Sequence, residues 1–160
     1  LNTSSPIKYL VVHCSASKPK TPVDVATITR WHLDRGFLKI GYHYVILRDG
    51  TVQKGRKDSE VGAHVAGRNT GSLGICMVGG LNDTTGKAEN NFTVEQFDSL
   101  ATLLTQLTGV HPKAEVLGHR DLSPDTNGNG KVDKHEWVKV CPCFDTREWW
   151  ETIQTKGNNT

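Results

Sequence analysis

The apolar positions of this 160-residue chain fall into short dense runs and a few spaced stripes, and the two patterns predict different elements. Ile7-Lys8-Tyr9-Leu10-Val11-Val12-His13 is β-rich and almost uninterrupted, the mark of a strand buried on both faces. Leu73-Gly74-Ile75-Cys76-Met77-Val78 reads the same way. A third run, Tyr42 to Leu47, is opened by Gly41 and closed by Asp49-Gly50, with Thr51-Val52-Gln53 returning. Asp-Gly between two β-rich runs predicts a hairpin. Val116-Leu117 is a short strand that delivers Gly118-His119. Helical spacing occupies the intervals. Val25, Ile28, Trp31 and Leu33 predict a helix over 23–35 with Trp31 in its core face, stopped by Gly36. Thr93 with Gln96 forms a capping box ahead of Leu100, Leu103, Leu104 and Leu107, which predict a second helix to about Thr108. A last helix is expected from Asp145 through Trp149 and Trp150, with 156–160 left to fray. Strands and helices interleaved around one sheet make an α/β domain.

No repeat or linker divides the pattern, so residues 1–155 are read as one domain and 156–160 as a flexible tail. Charged residues at 22%, a hydrophobic share of 36% and sixteen glycines fit a soluble domain with generous loops. A net charge of +2 is too small to argue for nucleic acid. No apolar run approaches the roughly 20 residues that span a bilayer, and Leu1 to Ser5 is too polar for a secretory leader. Neither a membrane nor nucleic acid is therefore expected as a partner. Cys14 and Cys76 sit inside apolar runs and read as small buried thiols. Cys141 and Cys143 are too close to bridge one another, so the chain is read as reduced, with one thiolate available as a ligand.

That thiolate is Cys141, in a turn stiffened by Pro142, and the imidazoles that could join it are His13 and His119, each at the end of an apolar strand. Two neutral imidazoles and a thiolate suit tetrahedral Zn²⁺, with a fourth position for water whose pKa the metal lowers toward neutrality. The three residues are far apart in the chain, and a lone histidine is more often a hydrogen-bonded core or surface residue. Spacing alone leaves both readings open.

Longer motifs decide between them. Val11-Val12-His13-Cys14-Ser15-Ala16-Ser17, Trp31-His32, Gly41-Tyr42-His43-Tyr44 and Arg48-Asp49-Gly50-Thr51-Val52 resemble the zinc N-acetylmuramoyl-L-alanine amidases. So do Gly62-Ala63-His64 with Asn69, Gly118-His119-Arg120-Asp121, and Lys139-Val140-Cys141-Pro142 with Phe144-Asp145. The blocks keep the family's order over nearly the whole chain. They are most similar to short lytic amidases of tailed phages, and more distantly to animal peptidoglycan recognition proteins. The resemblance implies a central mixed β-sheet flanked by helices, with zinc on His13, His119 and Cys141 at the floor of a surface groove. It implies that Tyr42 positions or deprotonates the attacking water and that Lys139 faces the scissile carbonyl, where an ammonium stabilises the developing oxyanion. His64 and Asn69 match groove positions that bind substrate. Arg56 also matches. His43 is expected to point away from Tyr42, because neighbouring strand residues alternate.

Between His119 and Lys139 the chain departs from the shorter phage enzymes. Residues 125–136 match the EF-hand calcium loop: Asp125, Asn127 and Asn129 supply side-chain oxygens, Lys131 its carbonyl, Asp133 a contact through water and Glu136 two oxygens, with Gly130 at the sharp turn. Pro124 stands where the entering helix of an EF-hand would be. Calcium there is expected to stabilise the fold, since the loop joins His119 to Lys139 and Cys141.

The reading that follows is a monomeric peptidoglycan hydrolase that cuts the amide between N-acetylmuramic acid and L-alanine. It is expected to be a phage endolysin, made in the host cytoplasm and acting on the wall after release. A recognition module that binds peptidoglycan without cutting it is the alternative, although such relatives typically lack the cysteine ligand. A bacterial wall-recycling amidase shares the chemistry in another setting. Contact with a viral RNA polymerase is a regulatory possibility for which the sequence carries no signature of its own.

Overall fold

The computed structural model describes residues 6–123, 126, 129, 132 and 140–158. Its strands are β1 (Tyr9–Cys14), β2 (Tyr44–Ile46), β3 (Val52–Lys54), β4 (Ser72–Met77) and β5 (Glu115–Gly118), and its α-helices are α1 (Val25–Asp34), α2 (Val94–Val110) and α3 (Thr146–Asn158). The five strands form one sheet in the order β3-β2-β4-β1-β5. β1 pairs in parallel with both β4 and β5, and β2 with β4, while β2 and β3 are antiparallel. The sheet is mixed, as the family resemblance implied. The two densest apolar runs became its centre: every residue of β4 is buried, and so are all of β1 after Tyr9.

One face carries the main core. Leu10 and Val12 of β1 and Leu73, Ile75 and Met77 of β4 pack under Leu100 and Leu104 of α2, with Trp150 of α3 in the same cluster. The capping box at the start of α2 forms as expected: the Gln96 N–H donates to Thr93 Oγ1 (3.1 Å) and the Thr93 N–H to Gln96 Oε1 (3.0 Å). Gln96 is fully buried and does more than cap. Its Nε2 donates to the carbonyls of Ile46 (3.1 Å) and Val78 (2.9 Å), joining the helix start to the ends of β2 and β4.

On the other face the apolar contacts fall into two small groups. Ile28 of α1 packs with Val45 and Cys76, and separately Val65 packs with Val11 and Leu117. His13, His43 and His64 occupy this same face, in place of a continuous apolar layer. Three readings of local structure change here. The buried stripe of α1 is Ile28 and His32, one turn apart, so Trp31 at 38% exposure is a surface residue rather than core. Helix α3 continues past Lys156 to Asn158, beyond the expected start of fraying. And β2 begins only at Tyr44, so strand alternation does not govern Tyr42 and His43. Among the described residues no helix is long and apolar enough to cross a membrane.

Candidate metal centre

Because β1 and β5 are parallel neighbours, their C-terminal ends meet at one rim of the sheet, where ligand sites form in such folds. His13 stands near the end of β1, and His119 opens a 3₁₀ turn (His119–Leu122) directly after β5. Their rings lie 4.5 Å apart between centroids. Cys141 arrives from the far side of the loop. Its carbonyl accepts the Arg120 N–H (3.0 Å), and its sulfur accepts the Cys14 N–H (2.9 Å). One ligand atom from each of His13, His119 and Cys141 falls within 4.8 Å of the others. Gly118 makes this approach possible: a Cβ there would lie 2.8 Å from Pro142 Cδ and 3.0 Å from Thr146 Oγ1. Two non-glycine residues beside the site, Ala16 (φ 52°) and Cys143 (φ 75°), hold left-handed backbone conformations.

The donor set fits zinc. Two imidazole nitrogens and a sulfur that already accepts an N–H are the ligands a catalytic zinc site uses, with a position left for water. Cys14 is not part of the cluster, and hydrogen bonding to Cys141 holds its thiol pKa up at about 12.

The cluster forms part of the wall of a groove of about 770 Å³, together with Trp31, Arg35, Tyr42, His64 and Asn69. Tyr42 packs against His13 with ring centroids 5.1 Å apart, and against His32 at 5.4 Å. Burial pushes its phenol well above the usual range, so it is a neutral hydroxyl at physiological pH. His32, missed as a structural residue by the sequence reading, accepts the Gly41 N–H on Nδ1 (2.8 Å) and so anchors the segment that carries Tyr42. Arg56 is spent on backbone carbonyls, with Nε on Ile40 (2.8 Å) and Nη1 on Val61 (2.6 Å). His43 is buried on the same face as His64, their rings 5.9 Å apart, and both its nitrogens are engaged. The Gly74 N–H donates to Nδ1 (3.0 Å), and Nε2 meets the Glu60 carbonyl (2.7 Å).

His64 and Asn69 line the groove, yet their hydrogen bonds point inward. Asn69 Oδ1 accepts the N–H groups of both His64 and Val65 (2.8 Å each) and clamps the loop. His64 Nδ1 lies 2.8 Å from His13 Nε2, and His64 Nε2 lies 3.1 Å from Ser72 Oγ. Burial lowers the His64 pKa to about 3. Ser72 is a site residue that sequence reasoning missed, and the available signal was a hydroxyl opening a wholly buried strand. Lys139 lies outside the described residues, as do Asp125, Asn127, Lys131, Asp133 and Glu136 of the calcium loop. Of that loop's expected ligands only Asn129 is described, and it is exposed.

Comparison with known proteins fits this geometry. The family described as N-acetylmuramoyl-L-alanine amidase matches residues 3–136. The chain belongs to this family. It is 43% identical to the endolysin of Enterobacteria phage K11 over 88% of its own length and 83% of the relative's. Identity to the endolysin of Escherichia phage T7 is 42%, over 89% of the chain and 84% of the relative. Among solved structures, the amidase LysC from Clostridium intestinale superposes with a TM-score of 0.70 at 26% identity, covering 95% of this chain and 85% of that one. The chain is thus a peptidoglycan hydrolase of the amidase class. Cys141 lies past the end of the family match, so it is the folded geometry that brings the sulfur to the two histidines.

Proposed function

We propose that this amidase is a zinc enzyme and a bacteriophage endolysin, cutting the amide between the lactyl group of N-acetylmuramic acid and L-alanine to release stem peptides. The observation that carries the reading is the convergence of His13, His119 and Cys141 in the groove wall. Bound there, zinc supplies Lewis acidity, which makes water nucleophilic near neutral pH and polarises a carbonyl. The chain's own residues do the rest. Tyr42, a neutral phenol packed on His13, orients the reacting water by hydrogen bonding. Lys139, two residues before Cys141, brings an ammonium that stabilises the oxyanion of the tetrahedral intermediate. Asn69, its Oδ1 committed to the loop, offers substrate its amide nitrogen. The enzyme works as a monomer, is made in the host cytoplasm, and reaches the wall once another protein has opened the membrane.

Mass spectrometry of purified peptidoglycan tests this, using zinc-loaded protein beside Cys141→Ser. Free stem peptides beginning with L-alanine are expected from the wild type only. Intact peptidoglycan from both proteins would refute the enzyme reading and favour a recognition module. Equal cleavage by both would refute the role given to Cys141.

A further inference from the structure

Both ring nitrogens of His64 meet partners inside the protein, and the direction of each of its bonds follows from simple accounting. Ser72 Oγ lies 2.7 Å from the Arg68 carbonyl and 3.1 Å from the Asn69 carbonyl. Carbonyl oxygens only accept, so the single hydroxyl proton of Ser72 is given to them. Ser72 Oγ must then accept from His64, which places the His64 proton on Nε2. A neutral imidazole with its proton on Nε2 has a bare Nδ1, and this nitrogen accepts from His13 Nε2 at 2.8 Å. The His13 proton is therefore on Nε2, and the nitrogen His13 presents as a ligand is Nδ1.

The fold holds the ring in place to make this work. A Cβ on Gly74 would lie 2.6–2.9 Å from Cγ, Cδ2 and Nδ1 of His64, and one on Gly62 would lie 2.7 Å from its Cδ2. Two glycines thus wall the imidazole, one of them inside a buried strand where glycine otherwise costs stability. Asn69 pins the same residue's backbone. Both ring nitrogens of His64 are thereby engaged within the protein.

We propose that Arg68 C=O, Ser72, His64 and His13 form a one-directional hydrogen-bond chain that fixes the tautomer and orientation of His13 as a metal ligand, making His64 and Ser72 positioning residues. The inference rests on the zinc reading above. A metal-bound histidine commonly donates its other ring N–H to a carboxylate, a carbonyl or water, which raises its basicity, and loss of that partner typically weakens metal binding about 10–100-fold; here the neutral imidazole of His64 takes the partner's place.

The test combines zinc affinity, by competition with a chromophoric chelator, with ring ¹⁵N NMR of the histidines in metal-free protein. In the wild type, one zinc binds, and both His13 and His64 carry their proton on Nε2. His64→Ala is expected to weaken zinc binding roughly 10–100-fold and Ser72→Ala by a smaller factor. In both variants His13 shifts from a single tautomer to a mixture while His43, fixed separately by the Gly74 N–H and the Glu60 carbonyl, keeps its proton on Nε2, a combination that general loosening of the fold does not produce. A wild-type His13 protonated on Nδ1 overturns the proposal without any variant. So do variants that bind zinc as tightly as the wild type with His13 unchanged. If the wild type binds no zinc, the metal reading itself fails, and the two failures are told apart.

Discussion

Gly74→Ala is a small change in the middle of a strand, where alanine is normally the better residue. Here the added methyl has nowhere to go, because its carbon would sit 2.6 Å from His64 Cγ and within 2.9 Å of Nδ1. Overpacking of this kind costs about 1–3 kcal/mol. If the ring yields, its hydrogen bonds to His13 and Ser72 are lost, at about 1 kcal/mol each. Replacing glycine returns about 0.5–1 kcal/mol of chain entropy. The net expectation is destabilisation by about 2–4 kcal/mol, a large part of the 5–15 kcal/mol that holds a typical domain. Urea unfolding followed by circular dichroism, with chelator present so that metal binding does not enter, measures it. The decisive comparison is a double-mutant cycle with His64→Gly. Once the imidazole is gone, Gly74→Ala has room and should be neutral or stabilising, giving a coupling energy of about 2–4 kcal/mol. A coupling below about 0.5 kcal/mol would refute the claim that Gly74 exists to seat His64.

Three further outcomes follow from the same structure. Gln96→Leu keeps the volume but takes one of two donors from each of the Ile46 and Val78 carbonyls, which keep the Val78 N–H (3.0 Å) and Arg48 Nη1 (3.4 Å), and removes the acceptor of the Thr93 N–H, so a loss of about 1–3 kcal/mol is expected in urea; a loss under about 0.5 kcal/mol would show that water replaces the side chain. His43, whose pKa burial lowers from 6.5, must stay neutral to accept the Gly74 N–H. Its contribution is therefore present above pH 6.5 and lost as pH falls below it, since the unfolded chain takes up the proton first. His43→Asn should flatten the fall of the melting temperature between pH 6.5 and 4 in metal-free protein, and an unchanged slope would refute it. For the loop at 125–136, adding calcium to metal-stripped protein should raise the melting temperature, and the absence of any shift would end the calcium reading.

The strands and the second helix were legible because their signals are local. Dense apolar runs gave β1 and β4, Asp49-Gly50 gave the hairpin, and Thr93 with Gln96 gave the helix start. The metal cluster was legible only through the longer motifs, since no rule of spacing connects His13, His119 and Cys141 across so much chain. What escaped were properties of the packed state. Trp31 fits a helical stripe with Val25 and Ile28 as well as His32 does, and periodicity favours the more hydrophobic residue. The fold seats His32 instead, because its Nδ1 has the Gly41 N–H to accept. Ser72 likewise looks like any strand-opening residue until His64 is folded down onto Gly74.

These misses share a cause that bears on how the enzyme is built. The face of the sheet covered by α2 and α3 is a continuous apolar core, and it can supply most of the stability. The opposite face divides its apolar contacts into two small groups and spends the space on His13, His43 and His64. A buried imidazole is tolerable only when both nitrogens are paired, so each histidine brings further constraints: Ser72 and Gly74 for His64, Glu60 and Gly74 for His43. Such a layer is less stabilising than packed leucine and much more directional. Rigidity of direction is what a metal ligand needs, because a ring free to turn at Cys141's rim would spend binding energy on ordering itself. Gly62, Gly74 and Gly118 are where side chains were given up so that His64 and Pro142 could stand close enough to matter.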